Sequence, residues 1–264
     1  MIRVGVMGAC GRMGREICRT IVDDAELELV AAFDREYQGM EIGALIGRDV
    51  PGVLVETDLE KLLGATEVDV MVDFTIADAM RKNVPQVLKH GVAVVAGTTG
   101  LSAEERAQMG ELAKENNTSM FHAANYAIGA VLLMKFAEEA AKYMPHAEVI
   151  ELHHDKKLDA PSGTAVTTLS RMAKNREPIK QGMEGEYEKI EGSRGGEYEG
   201  MRVHSVRLPG FVASQEVIFG GLGQTLTLRH DSISRESFMP GIAMAVKKVR
   251  NWKGLVEDLE NILD

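Results

Sequence analysis

Within five residues, His153-His154-Asp155-Lys156-Lys157 sets two imidazoles, two ammonium groups and a carboxylate side by side. Leu158-Asp159-Ala160-Pro161 then leads to Ser162-Gly163-Thr164 at the head of an apolar-periodic segment. Histidine is the side chain whose ordinary pKa lies near neutrality, so an imidazole here can hand over a proton at physiological pH. Lysine adds fixed positive charge. A helix opening at Ser162 to Thr164 would aim backbone N–H groups outward, with the positive end of the helix dipole behind them, and so cradle a carboxylate or phosphate. Each residue alone also suits an ordinary surface role: a histidine at a strand end, solvated lysines, a serine N-cap. Their adjacency, in a chain of formal charge -10, favours a held anion.

A second constellation lies at the N-terminus. The apolar run Ile2 to Met7 enters Gly8-Ala9-Cys10-Gly11-Arg12-Met13-Gly14, after which Ile17, Ile21 and Val22 keep helical spacing. Strand, glycine turn and helix are the parts of a pyrophosphate cradle, in which glycines allow a tight turn and close backbone approach. The spacing is Gly-x-x-Gly-x-x-Gly rather than the usual Gly-x-Gly-x-x-Gly, and alone it would be a weak signal. The second strand, Leu27 to Phe33, ends at Asp34, twenty residues past Gly14. An acid at about that distance can accept hydrogen bonds from the adenosine ribose hydroxyls, which makes the glycines and Asp34 a stronger pair than either alone. Arg35 beside it could meet a 2′-phosphate instead, so NADH and NADPH both stay open.

The elements that must position these groups alternate through the first half of the chain. A short helix is expected near Asp58 to Leu63, a buried strand over Val68 to Phe74, a helix over Ala77 to Lys89 and a strand over Val92 to Ala96. Ser102 with Glu105 forms a capping box that opens a helix to Glu115. A strand over Ser119 to His122 and a long helix over Ile128 to Tyr143 follow. This is the pattern of a doubly wound parallel sheet, an α/β fold of Rossmann type, with the strand-end loops Phe74-Thr75 and Gly97-Thr98-Thr99-Gly100 at one crevice. The small residues of the second loop would let a flat ring approach.

Beyond the long helix the pattern turns to α+β. Glu148 to His153 reads as a strand, Thr164 to Lys174 as a helix, and Glu177 to Gly200 as glycine-rich and aperiodic. Val203 to Leu208, Glu216 to Phe219 and Gln224 to Arg229 suit an antiparallel meander. With one helix in evidence to cover it, this sheet would leave an apolar face bare, which a partner subunit would cover. Ser237 to Arg250 and Leu255 to Leu263 return to helical spacing.

Composition bounds the function. At 264 residues and 45% hydrophobic content the chain can bury one large core or two modest ones. A pI near 5.3 argues against nucleic acid or an anionic membrane as main partner, since both need an extended basic face. No apolar run approaches the roughly 20 residues of a membrane span, and Met1-Ile2-Arg3 leads straight into a strand, so a cytoplasmic protein is expected. Cys10 and Cys18, both near the N-terminus, indicate neither a disulfide framework nor a metal site.

The run His-His-x-x-Lys-x-Asp-Ala-Pro-Ser-Gly-Thr-Ala resembles the signature of the dihydrodipicolinate reductases, now called 4-hydroxy-tetrahydrodipicolinate reductases, and the likeness extends from the glycine loop to the Ser234-Arg235 region. That resemblance implies an NADH- or NADPH-dependent reduction of a small cyclic dicarboxylate in lysine and diaminopimelate biosynthesis. It implies proton-donor roles for His153 and Lys157, although an ordinary lysine amine is a poor proton donor at neutral pH and serves better as a fixed cation. His154, Gly163 and Thr164 would hold the substrate carboxylates. Gly8, Ala9, Cys10, Gly11, Arg12, Met13, Asp34 and Arg35 would hold the nucleotide, with Gly97, Thr98 and Thr99 at the nicotinamide and further contacts from Ala123, Ala124, Asn125 and Tyr126. Ala127 stands where family members often carry serine. The resemblance further implies a discontinuous nucleotide-binding domain, residues 1–126 with 236–264, a substrate-binding and tetramerisation domain, residues 127–235, substrate in the cleft between them, and a homotetramer.

Overall fold

In the computed structural model, which describes residues 1–263, the apolar runs become buried strands joined by helices. From the N-terminus the elements are β1 (Ile2–Met7), α1 (Arg12–Asp23), β2 (Leu27–Phe33), α2 (Ile42–Ile46), β3 (Val55–Glu56), α3 (Leu59–Ala65), β4 (Val70–Asp73), α4 (Ala77–Lys89), β5 (Ala93–Ala96), α5 (Ala103–Glu115) and β6 (Ser119–His122). The chain continues through α6 (Ile128–Ala141), β7 (His146–His153), α7 (Gly163–Ala173), β8 (Gly196–Tyr198), β9 (Met201–Arg207), β10 (Ala213–Gly221) and β11 (Gln224–Ser232). It closes with a 3₁₀ turn, α8 (Met239–Lys248) and β12 (Gly254–Glu257). Two compact units result: residues 1–126 with the segment from Phe238 onward, and residues 127–237. The second crossing thus falls at 237/238 rather than 235/236, after Ser237 has hydrogen-bonded back to Ser232 and Ser234.

The first unit is a seven-stranded, all-parallel sheet in the order β12-β6-β5-β4-β1-β2-β3. Both of its faces are covered, so β4 and β5 are buried at every position, as their unbroken apolar runs require. Met71, Met80, Val84, Val94 and Met120 fill the core on one side. Because all strands run the same way, the loops after β1, β2, β4, β5 and β6 emerge at one edge, and strand order reverses at β1, between β2 and β4. At the head of α5 the Ser102 Oγ accepts from the Glu105 amide at 3.2 Å, and the Glu105 carboxylate accepts from the Ser102 amide at 2.7 Å. The apolar spacing of Leu255 to Leu263, which predicts a helix, is overridden. Gly254 to Glu257 pairs with Ser119 to His122 as β12, completing the outer edge of β6, and only Leu259–Ile262 makes a short 3₁₀ turn. So short a run cannot pin a period, and backbone pairing decided the matter.

The second unit is a mixed five-stranded sheet, order β11-β10-β7-β9-β8. It is not the antiparallel meander that the spacing suggests: β9 lies parallel to β7 on one side and β10 antiparallel to it on the other, so the Pro209-Gly210 connection crosses β7. The tight turn at Leu222-Gly223 does join β10 and β11 as a hairpin, with Gly223 at φ +71°. Two helices, α6 and α7, cover one face. Leu133, Ala137, Leu169 and Met172 meet Val149, Val217 and Phe219 there, so Val217 and Phe219 are covered within the chain, and Leu228 packs on the same side. The opposite face carries Ile150, Leu152, Val206 and Ile218 among Glu148, Arg202, His204, Glu216 and Arg229, most of them half-buried. Among the described residues no helix is long and apolar enough to cross a membrane.

Candidate functional site

In the first unit the glycine turn does what its spacing requires. Gly8 sits at φ +78°, where a Cβ would meet the Phe74 carbonyl oxygen at 2.8 Å, and at Gly14 a Cβ would stand 2.0 Å from the Gly8 carbonyl oxygen. Helix α1 therefore packs closer to β1 than any side chain would allow. No side chain caps α1, whose N-cap is Gly11, and Gly11 and Arg12 are exposed. The turn thus offers uncapped amides at a helix start, the chemistry a dinucleotide pyrophosphate needs. Ala9 and Cys10 are buried beneath it, and burial pushes the Cys10 thiol up to about 11. Asp34, at the end of β2, accepts from the Cys10 amide at 2.9 Å and from its neighbour Arg35's amide at 2.8 Å, which fixes the acid against the glycine turn. The Arg35 guanidinium is largely in solvent, 3.5 Å from Glu36.

The loops after β4 and β5 are tied together by one buried carboxylate. Asp73, fully buried at the end of β4, accepts from the Thr98 hydroxyl at 2.6 Å and the Thr75 hydroxyl at 2.8 Å, while the Thr75 amide donates to the Thr98 oxygen at 2.9 Å. Burial raises the Asp73 carboxyl above its ordinary value, against the pull of the two hydroxyls. Its signal was in plain view: a charged residue closing the otherwise apolar run Val70-Met71-Val72. Thr98 therefore faces inward and Thr99 outward. A Cβ at Gly97 would stand 2.2 Å from the Phe74 ring, so the glycine lets that ring pack against the loop.

After β6, Ala123 is buried, Ala124 exposed and Asn125 half-buried. Tyr126 is buried with its hydroxyl donating to the Ala96 carbonyl at 2.8 Å, and its ring lies 5.5 Å from that of Phe74. It braces the β5 end from within. Burial makes His122 harder to protonate, and its Nε2 lies 3.0 Å from the Thr98 carbonyl.

In the second unit the His-His-x-x-Lys run begins at the end of β7. His153 is mostly covered, whereas His154, Asp155 and Lys156 are exposed. The carboxylate that meets His153 is Glu151, at 2.5 Å from Nδ1, and not Asp155, the acid next in sequence to the histidine pair. Strand alternation explains this: residues 151 and 153 share a face of β7, while Asp155 lies beyond the strand. Burial would raise the Glu151 carboxyl, but donors from His153 and Arg207 outweigh it and hold it at about 2. Lys157 pairs with Asp159 at 2.8 Å. Ser162 caps α7 by accepting from the Ala165 amide at 3.3 Å. Gly163 lies on the exposed side with open space where a Cβ would stand, beside half-buried Thr164. Among the described residues no group of three or more His, Cys, Asp or Glu side chains could hold a metal.

Comparison with known proteins finds two family models on this chain: dihydrodipicolinate reductase, N-terminus, over residues 2–126, and dihydrodipicolinate reductase, C-terminus, over residues 129–263. A 4-hydroxy-tetrahydrodipicolinate reductase of Desulfitobacterium hafniense is 52% identical over 264 residues, covering 100% of this chain and 99% of that protein. Its namesake from Listeria innocua is 50% identical and covers 100% of both. Among solved structures, a dipicolinate-bound dihydrodipicolinate reductase from Paenisporosarcina sp. TG-14 matches with a TM-score of 0.89 at 44% identity over 100% of both chains. An amine dehydrogenase from Mycobacterium smegmatis, at 16% identity and TM-score 0.68 over 97% of this chain and 94% of that one, shares the fold.

Proposed function

This chain belongs to the dihydrodipicolinate reductase family, and from that premise we propose how its residues divide the work. The reaction is the reduction of 4-hydroxy-2,3,4,5-tetrahydrodipicolinate to 2,3,4,5-tetrahydrodipicolinate with NADH or NADPH, in diaminopimelate and lysine biosynthesis. Residues 1–126 with the C-terminal segment bind the nucleotide; residues 127–237 bind substrate. The turn Gly8 to Met13 receives the pyrophosphate through the uncapped amides at the start of α1, the amides of Gly8, Ala9, Cys10 and Gly11 being engaged within the chain, and Asp34 receives the ribose hydroxyls, with the solvent-exposed Arg35 beside it to meet a 2′-phosphate. Thr98 acts through its backbone, its hydroxyl being spent on Asp73, and Gly97 and Thr99 complete that loop. Ala123, Ala124 and Asn125 line the next one, which Tyr126 supports from the core.

The bound nucleotide supplies a hydride. His153 gives a proton to the neighbouring centre, and the single observation that carries this assignment is the buried Glu151 carboxylate behind its Nδ1. Lys157, fixed by Asp159, acts as a cation toward the substrate carboxylates together with His154 and the amides of Gly163 and Thr164. Dipicolinate, the ligand of the Paenisporosarcina protein, is a planar dicarboxylate of the kind such a set would hold. The protein works in the cytoplasm as a homotetramer joined through the helix-free face of the second unit's sheet, where Ile150, Leu152, Val206 and Ile218 lie half-covered.

The test generates substrate in situ from pyruvate and aspartate semialdehyde and follows oxidation of each nucleotide. His153→Gln is expected to lower kcat by about 10²- to 10⁴-fold, the usual contribution of a general acid, with nucleotide affinity unchanged. An unaltered kcat would remove His153 from the reaction.

A further inference from the structure

Granted His153 as the proton donor proposed above, we infer that Glu151 and Arg207 are a positioning pair behind it: the carboxylate fixes the ring as its Nδ1–H form, leaving Nε2 to carry the transferred proton, and the guanidinium holds that carboxylate ionised and in place. Both groups sit on the Nδ1 side of the ring. Their effect reaches the reaction only through His153.

The geometry is specific. Glu151 has no solvent exposure, and both of its oxygens are engaged by donors. Oε2 meets His153 Nδ1 at 2.5 Å and accepts from Arg207 Nη1 at 2.8 Å; Oε1 accepts from Arg207 Nη2 at 2.6 Å and from the Ser162 amide at 3.2 Å. A carboxylate so surrounded has no proton of its own, so the imidazole must supply the one between them, and Nδ1 is the protonated nitrogen in both charge states of the ring. The depressed Glu151 carboxyl agrees with this. Arg207 is itself held, its two terminal nitrogens also donating to the carbonyls of Val206 and Asp159 at 2.8 Å each. An ion pair that served only to join β7 and β9 would not need the ring as its third member.

Few other charges face the pair. On β10 the neighbours opposite are Ala213 and Gln215; on β11 His230 stands two strands away in the row of Glu151; the first turn of α7 carries no acid. The loop beyond β7 holds the Lys157–Asp159 pair, with His154, Asp155 and Lys156 exposed. Among the described residues, Glu151 is thus the one buried carboxylate at the ring, and Arg207 the one guanidinium at that carboxylate.

The signs follow. A general acid works only while protonated, so kcat/KM falls as pH rises through its proton loss. Removing the Glu151 charge disfavours an imidazolium relative to the parent, and removing the Arg207 charge favours it. Glu151→Gln should lower kcat/KM on the order of 10²-fold and move the alkaline limb down by about one pH unit or more. Arg207→Gln should move the limb up, while Arg207→Lys, which retains the charge, should leave it near the parent's. Magic-angle-spinning ¹⁵N NMR of histidine-labelled protein, with His153 assigned by its loss in His153→Gln, reads the tautomer directly: Nδ1–H in the parent and a mixture in Glu151→Gln. A parent ring protonated at Nε2 alone when neutral overturns the proposal whatever the kinetics. So does a limb that moves the same way in Glu151→Gln and Arg207→Gln, which would mean loosened structure rather than charge. Should Glu151→Gln fail to fold, the parent tautomer and the two Arg207 variants still decide. If His153→Gln turns over as fast as the parent, the donor assignment fails on that result alone, while the tautomer still shows whether the pair sets the ring.

Discussion

Asp34 spends its two oxygens on two backbone amides, those of Cys10 and Arg35, before any nucleotide arrives. It therefore shapes the glycine turn as well as presenting the negative charge proposed to meet the ribose. On that proposal, replacing it with alanine should weaken NADH binding more than NADPH binding, because a carboxylate there would serve ribose hydroxyls in the first and repel a 2′-phosphate in the second. Equal losses in fluorescence titrations with the two nucleotides would mean that Asp34 acts only through the turn. Glu151 makes a separate prediction about stability. Its folded value near 2 lies below its ordinary 4.5, so its contribution is complete above pH 4.5 and is lost as pH falls toward 2. The stability gap between the parent and Glu151→Gln in urea titrations, roughly 3 kcal/mol at neutral pH by the same linkage, should close across that window. A gap that stays constant with pH would mean the stabilisation does not depend on ionisation. The tight turn at Gly8 and the Ser162 cap of α7 were legible because each lies in a short spacing. Arg207 was not, since it stands 56 residues from the carboxylate it holds and no local pattern links them.

Elements were legible where length and capping agreed. The helix opened by Ser102 and Glu105 and the glycine turn before α1 were both visible as local chemistry. What escaped was pairing: β12 lies beside β6 and β7 between β9 and β10 because of which edges met, a choice that apolar spacing does not encode. The close packing of α1 on β1 gives the sharpest test at this scale. A Cβ on Gly14 would lie 2.0 Å from the Gly8 carbonyl oxygen, a backbone atom that cannot swing aside. Gly14→Ala should lower stability by about 1–3 kcal/mol or more, the range for overpacking, and weaken both nucleotides together by widening the turn. Thermal unfolding and nucleotide titration of the same preparation check this, and a variant with the parent's melting temperature and affinities would show that the turn tolerates a shift of α1.

At the scale of the whole molecule, the second unit keeps a sheet face without helices, and the tetramer proposed for this chain uses it. The charges on that face are largely matched within the chain: Glu148 meets Arg194 at 3.0 Å and His204 at 2.9 Å, and Arg229 meets Glu216 at 2.7 Å and Asp231 at 2.9 Å. Covering the face would then strand few unpaired ions, and burial of Ile150, Leu152, Val206 and Ile218 would supply the favourable part. Register separates this reading from a general hydrophobic attraction. Ile218 pairs with Glu148 and Thr227 on the open face, whereas Leu226, opposite Phe219, belongs to the side that α6 and α7 cover. Ile218→Glu would set a new charge beside Glu148 and, through closed symmetry, against its own copies. Light scattering at micromolar concentration should give a tetramer mass for the parent, a smaller species for Ile218→Glu, and an unchanged mass for Leu226→Glu. A monomeric parent would remove the assembly, and a tetramer that survives Ile218→Glu but falls apart with Leu226→Glu would move it to the other side of the sheet.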